Sequence, residues 1–194
     1  MSKNILTKLI LSLLLISTTL FGLEKDSIKE EMQSKMNKVL LVLENKESSL
    51  EDKNQEIIKI MDEVFDYSIM SKIASGKNLR QLKSKTQFNE FKEAFEVSLK
   101  RSYSDKLGLY NDQKLEILDL IPYKKTRLQL QTKLIGENEV YDINYNFYED
   151  KKTSQWYIYD VELIGVSILQ TYRKQFDGVL VNNDISYLIT QLKK

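Results

Sequence analysis

Along the chain the hydrophobic positions change their spacing, and each change predicts a different kind of element. Ile28, Met32, Val39, Leu40 and Leu43 lie on one side of a helix that begins at Ser27, where Ser27-Ile-Lys-Glu30 has the capping-box pattern, and runs to about Asn45. Ser49 or Asp52 can start a second helix bearing Ile57, Ile58, Met61, Val64 and Phe65. Asp66 then caps a short third helix with Ile69, Met70 and Ile73, stopping near Gly76. Ser84-Lys-Thr-Gln87 is a further capping box. Behind it Phe88, Phe91, Phe95, Leu99, Tyr103 and Leu107 recur at steps of three and four. They predict a helix of about 24 residues, roughly 36 Å long.

The spacing then becomes two. Leu128, Leu130 and Leu134 alternate with Arg127, Gln129, Gln131 and Lys133, which describes a strand over Thr126–Leu134 with one buried and one wet face. Val140–Tyr148 repeats the pattern, with Tyr141, Ile143, Tyr145 and Phe147 on one side. Gln113–Ile121 precedes these strands and Trp156–Ile164 follows them. The joining segments Pro122-Tyr-Lys-Lys125, Gly136-Glu-Asn138 and Asp150-Lys-Lys-Thr-Ser154 are short and turn-rich, as an antiparallel meander requires. After Gly165 the helical spacing returns in Ile168, Leu169, Tyr172 and Phe176, then in a last helix capped by Asp184 and carrying Ile185, Leu188, Ile189 and Leu192. The predicted fold class is α+β: N-terminal helices, a four-stranded curved antiparallel meander, and C-terminal helices. A division into two lobes would fall at Gly76–Lys83.

Composition narrows the chemistry. With 194 residues, 42% of them hydrophobic, one Pro and six Gly, the chain reads as one globular domain with a core large enough to need no crosslinks. It has no Cys and no His, which removes imidazole bases, Ser-His-Asp and Cys-His nucleophiles, Cys/His zinc sites and redox thiols. No catalytic and no metal-ligating set is assigned.

Before the first helix, two lysines precede an apolar run from Leu9 to Phe21 broken only by Ser and Thr, ending near Gly22. This is the pattern of a secretory signal peptide over residues 1–22, with a mature domain over 23–194. The rival, an uncleaved anchor, would need about 20 apolar residues to span a bilayer. No Cys follows, so a lipoprotein anchor is excluded. Removing Lys3 and Lys8 takes the 29 basic residues to 27 against 28 acidic ones, a balance that argues against nucleic acid as a partner.

Phe65-Asp-Tyr-Ser-Ile-Met70, Gly76, the Phe91-Lys-Glu-Ala-Phe95…Leu99…Tyr103 helix, and above all Trp156-Tyr-Ile-Tyr-Asp-Val161 with Gly165-Val-Ser167 and Tyr172-Arg-Lys-Gln-Phe176 resemble the MlaC family of periplasmic phospholipid-binding proteins, also called toluene-tolerance (Ttg) auxiliary components of an ABC transporter. The similarity covers most of the mature chain. Leu79 departs from it where the family commonly has an aromatic residue, and Ile164 where an acidic residue often precedes Gly-Val-Ser. The resemblance implies a cystatin-like or nuclear-transport-factor-like cone with a hydrophobic pocket for acyl chains. It implies a monomeric periplasmic shuttle with phospholipid as cargo and no other cofactor. Its partners would be an outer-membrane lipoprotein complex, MlaA with a porin, and an inner-membrane ABC transporter containing MlaD, the whole maintaining outer-membrane lipid asymmetry.

With that resemblance, the expected lipid-contacting residues are Phe95, Leu99 and Tyr103 of the long helix, Leu128, Leu130, Tyr145 and Phe147 of the central strands, and Tyr159, Val161, Leu163, Leu169, Tyr172 and Phe176 of the last strand and the helix after it. A nine-residue strand runs about 30 Å at roughly 3.3 Å per residue, against a leaflet of about 15 Å. Each buried CH₂ is worth about 0.8 kcal/mol, so a chain of roughly sixteen carbons contributes on the order of 12 kcal/mol before ordering costs. From the residues alone, the Phe88–Leu107 stripe and the Tyr141–Phe147 face read more readily as ordinary core than as pocket wall. Arg173 reads as helix packing and a salt bridge, with a phosphate head group as the alternative, and Asp160 as a satisfied buried carboxylate. Glu90, Glu93 and Glu96, interleaved with Lys92 and followed by Lys100, read as a solvated helix face. Lys124, Lys125, Arg127, Lys151 and Lys152 lie at or beside turns and read as exposed. Two other classes stay open: an isomerase or hydratase with an Asp base and a Tyr oxyanion donor in such a cone, and a ligand-free interaction module.

Overall fold

The computed structural model describes residues 22–107, 110 and 112–194, without the side chains of residues 103 and 105–107. The expected signal segment therefore lies outside the described residues. The helices are α1 (Ile28–Glu44), α2 (Leu50–Asp62), α3 (Tyr67–Ser75), α4 (Lys85–Leu107), α5 (Ile168–Val179) and α6 (Ile185–Leu192). The strands are β1 (Lys114–Lys124), β2 (Arg127–Ile135), β3 (Val140–Glu149), β4 (Trp156–Leu163) and the two-residue β5 (Val166–Ser167), in one antiparallel sheet ordered β1-β2-β3-β4-β5. The α+β layout and the meander follow the sequence pattern, with one short strand more.

Capping explains most helix starts. Ser49 Oγ accepts from Asp52 N at 3.1 Å, Asp66 Oδ1 from Ile69 N at 2.9 Å, and Asp184 Oδ1 from Tyr187 N at 2.9 Å. At α4 the capping box closes in both directions: Gln87 N donates to Ser84 Oγ at 3.1 Å and Lys83 N to Gln87 Oε1 at 2.8 Å. The box expected at Ser27 does not form. A 3₁₀ turn over Lys25–Ser27 precedes α1, and Ser27 Oγ donates back to the Glu24 carbonyl instead.

Two boundaries differ from the sequence reading, both because the sheet competes for the residues. Val64 and Phe65 were expected on the second helix, yet α2 ends at Asp62 and the chain then runs parallel to β4. Ile158 N donates to Val64 O at 2.7 Å and Asp66 N to Ile158 O at 3.1 Å. Leu23 pairs with Trp156 in an antiparallel bridge, so the free edge of β4 is covered at both places. At the opposite edge, Pro122 belongs to β1 rather than to a turn; an edge strand tolerates its missing N–H.

Bulges break the period of two. Ile117 pairs with Thr132 but Leu120 with Leu130, and Phe147 pairs with Ile158 but Asn146 with Asp160. Each extra residue inverts the parity of its strand, so Leu115, Ile117 and Leu120 all face one side, as do Trp156, Ile158 and Val161. The sheet curves at these points, and we call that side concave.

Two apolar clusters result. One is made by α3, α4, α5 and α6 and contains Met70, Phe91, Phe95, Leu99, Leu169, Phe176, Leu188 and Ile189. Phe176 meets Phe91 and Phe95 edge to face within it, Phe91 and Phe95 stack on one another, and Phe95 meets Tyr172 edge to face at 5.3 Å between ring centroids. The other joins α1 to the concave face of the sheet through Ile28, Met32, Met36, Leu128, Leu130, Phe147, Trp156, Ile158 and Val161. Half-buried Phe65 and Ile168 pack against both.

Candidate functional site

The apolar stripe of α1 does not end where its burial ends. Ile28, Met32 and Met36 are fully buried against the sheet, whereas Val39, Leu40 and Leu43 continue the same stripe at steps of three and four and are only half-buried. The sheet beneath grades the same way. Leu128, Leu130 and Phe147 are buried at one end, while Leu115, Ile117, Leu134, Tyr141 and Ile143 are half-buried at the other. Those two half-buried ends lie over one another. Tyr110, just before β1, is close enough to Glu44, the last residue of α1, that the carboxylate adds to burial in pushing its phenol up.

Helices approach the sheet at its edges, α1 on β1, and α3 and α5 on β4. Between them Leu115, Ile117, Ile143 and Tyr145 of the concave face pack against the second cluster and stay half-buried. The floor is Ile117, Ile143 and Tyr145; the roof is Val39, Leu40 and Leu43 of α1, with the half-buried Ile57, Ile58 and Met61 of α2 beside it. α2 is held in place from behind: Lys100 of α4 donates to Asp62 at 2.6 Å and to Glu96 at 2.8 Å. Burial works against the Lys100 charge, but the hydrogen bonds and fields of the two carboxylates outweigh it and its pKa is raised.

Tyr145 sits at the transition from buried to half-buried, opposite Leu130 and Val161. Burial alone pushes its phenol up to about 12, and its hydroxyl has no hydrogen-bond partner among the described residues. A buried hydroxyl without a partner, on a side chain whose remaining surface is half-buried, is suited to meet one polar group of an otherwise apolar ligand.

The residues expected to contact lipid separate into three places. Leu128, Leu130, Phe147 and Val161 close the deep end of the cleft, Tyr145 lines it, and Leu163, 39% exposed, stands at the rim. Phe95, Leu99, Leu169, Tyr172 and Phe176 belong to the helical cluster, so the last strand and the helix after it do not converge on one interior. Tyr159 is the extra residue of the β4 bulge and is turned to the convex face, with its ring 6.3 Å from that of Tyr148 and 4.9 Å from the Arg127 guanidinium. The side chain of Tyr103 lies outside the described residues. Val39, Leu40, Leu43 and Ile143 were legible as one-sided apolar positions, but nothing in the sequence marks their incomplete burial; Ile117 was legible only as part of a strand.

The polar residues named from sequence have structural partners. Asp160 Oδ2 accepts from Ser167 Oγ at 2.6 Å and Oδ1 from Leu169 N at 3.2 Å, fastening β4 to the start of α5; burial pushes its carboxyl up, against these hydrogen bonds. Arg173 Nε donates to the Ile73 carbonyl at 3.0 Å, capping α3 rather than forming the expected salt bridge. Among the described residues there is no group of His, Cys, Asp and Glu that could hold a metal, and no helix long and apolar enough to cross a membrane.

A curved antiparallel sheet whose apolar concave face grades from buried to half-buried beneath the helices that pack on it defines an α+β cup. The family model described as MlaC protein matches residues 33–194, and the chain belongs to the MlaC family. Among solved structures it is similar to the phospholipid-binding protein from Ralstonia solanacearum in complex with a phospholipid, with a TM-score of 0.71 and 18% sequence identity over 84% of this chain and 93% of that one. No curated protein sequence matches the chain.

Proposed function

We propose that the protein is a periplasmic phospholipid carrier whose cargo lies in the cleft between the α1–α2 roof and the concave face of the sheet. The observation that carries this reading is the half-buried row of Val39, Leu40, Leu43, Ile117, Ile143 and Tyr145, which continues the apolar stripe of α1 and the concave face of the sheet beyond their fully buried parts. Family membership and the likeness to a fold solved with a phospholipid support the choice of ligand. Acyl chains suit such a row, since each CH₂ placed there gains about 0.8 kcal/mol and needs no directional contact.

The rest of the reading follows from the family. After export and removal of a signal peptide over residues 1–22, the monomer takes phospholipid between an outer-membrane MlaA-type complex and an inner-membrane ABC transporter containing MlaD. A lipid this buried leaves into water slowly, so exchange takes place at a docked partner offering another apolar groove. No chemistry is asked of the protein: the Tyr145 hydroxyl has no acidic or basic side chain hydrogen-bonded to it among the described residues, which gives the isomerase or hydratase reading no support at that phenol.

The test is solvent extraction and mass spectrometry of the protein purified from its exporting cell. Bound diacyl phospholipid is the expected result. A polar metabolite would favour an enzyme, and an empty protein an interaction module.

A further inference from the structure

From Tyr67 to Asn89 the chain has no acidic residue, while Lys72, Lys77, Arg80, Lys83 and Lys85 fall within it. In a protein whose charges otherwise nearly cancel, this is a concentrated basic segment. The fold gathers part of it around a concavity. At the junction of α3, the 3₁₀ turn Gly76–Gln81 and the start of α4, a groove of about 400 Å³ is lined by Lys72, Leu79, Leu82, Lys83, Lys85 and Phe88, with Ser84. Its floor is apolar: Leu82 and Phe88 are half-buried and Leu79 is 36% exposed. Its rim is cationic: Lys72, Lys83 and Lys85 are exposed, and none makes an ion pair among the described residues. Lys72 Nζ lies 5.4 Å from the centre of the Phe88 ring. Lys77 is partly neutralised by Asp177, 3.6 Å away, and is not counted with the rim.

The groove is held open by structure already described. The α4 capping box fixes Lys83 and Ser84, and Asn78 Nδ2 donates to Asp177 at 2.6 Å, tying the 3₁₀ turn to α5. Another surface groove, about 640 Å³ between α1 and α2, is the contrast. There Lys35, Lys38 and Lys59 face Asp52, Glu56 and Glu63, and Lys35 pairs with Glu63 at 2.7 Å, so that surface is electrically balanced.

We propose that the Lys72–Phe88 groove is a docking site for an acidic polypeptide segment of a protein partner, one that presents a large apolar side chain between carboxylates. The charge fixes the sign of the partner, since three unpaired ammonium groups favour carboxylates. The floor fixes its kind: Leu79, Leu82 and Phe88 between the lysines form a shallow apolar surface that a large apolar side chain of the partner covers and desolvates. Lysine rims around apolar floors combine steering with a desolvated anchor. The inference rests on the carrier reading in one respect, that a carrier must dock to exchange cargo; the groove is distinct from the lipid cleft.

The test uses the mature protein and a short fluorescein-labelled peptide of glutamates with one central Phe, read by anisotropy at low ionic strength. Binding should weaken about tenfold or more in Lys83→Glu/Lys85→Glu and change less than about twofold in the charge-matched Lys38→Glu/Lys59→Glu. Replacing the Phe of the peptide by Ser should also weaken it. No binding to the wild type, or equal loss in both charge pairs, would overturn the proposal. So would a wild type that binds phosphatidylglycerol–phosphatidylcholine vesicles through Lys83 and Lys85 and not the peptide, which would assign the groove to a membrane. Phospholipid per protein is measured in the same samples and should be equal in all variants. An empty wild type that still binds the peptide would sink the carrier reading and leave the docking site standing.

Discussion

The guanidinium of Arg173 occupies the space that a side chain at residue 76 would need. Gly76 has φ +53°, and a Cβ built there would lie 2.7 Å from Arg173 Nε, the atom that donates to the Ile73 carbonyl. The glycine that ends α3 and the arginine in the middle of α5 thus form one device, a helix end capped from another helix, and two motifs far apart in sequence explain each other. Gly76→Ala should destabilise the protein by about 1–3 kcal/mol, because both the backbone angle and the contact oppose a Cβ. Urea titration of Gly76→Ala, Arg173→Ala and the double variant separates the causes. The double should be more stable than the sum of the singles predicts; strict additivity would mean that backbone strain acts alone.

Asp160 makes a pH-dependent contribution whose sign is fixed by its environment. Burial raises its folded pKa above the unfolded value of about 3.9, so between the two the native state binds more protons than the unfolded chain. The stability it contributes is fully present below the unfolded pKa and is lost as pH rises through the folded pKa. Asp160→Asn can keep an acceptor for Leu169 N and turn its amide to Ser167 Oγ, while removing the titration. Measured from acid to neutral pH, the stability of the wild type should fall relative to that of Asp160→Asn. A constant difference would contradict the assignment.

The turn between β4 and β5 stores strain. Ile164 has φ +52°, a left-handed conformation unfavourable for a β-branched residue, and its side chain is 61% exposed with no compensating burial. Ile164→Asn should stabilise the protein by about 0.5–1 kcal/mol, since Asn tolerates that region. An unchanged or lower denaturation midpoint would show that the exposed isoleucine makes a contact worth more than its strain.

Filling the cleft and filling the helical cluster should have different signatures. Ile143→Trp adds bulk where a side chain is half-buried, so phospholipid per protein should drop with little change in the midpoint of delipidated protein. Leu99→Trp adds it to a residue that is 1% exposed within the packed aromatic cluster, and should cost about 1–3 kcal/mol of stability whatever happens to the lipid. Equal behaviour of the two variants would erase the distinction between cleft and core.

Much of the fold was legible in the sequence because its signals are local. The Ser49, Asp66, Ser84 and Asp184 caps and the alternation in β2 and β3 depend on residues a few positions apart. What was not legible depends on tertiary pairing. Val64 and Phe65 have helical spacing but lie along β4, and the bulge at Tyr159 cannot be foreseen from a run of β-branched and aromatic residues that suits either face. Where apolar side chains stay half-buried was not legible. Phe95, Leu99, Leu169 and Phe176 look like pocket wall and form packed core, while the less conspicuous Val39, Leu40 and Ile143 lie along the open end of the sheet, because incomplete burial is a property of the space between elements.

The most direct test of the lipid site is photocrosslinking with a phospholipid bearing a photoreactive group on an acyl chain, loaded into the mature protein, followed by proteolysis and mass spectrometry. The account predicts adducts on peptides spanning 39–43 and 57–61 of the roof and 115–120 and 141–145 of the floor. Adducts confined to 91–99 and 169–176, the helical cluster, would contradict it.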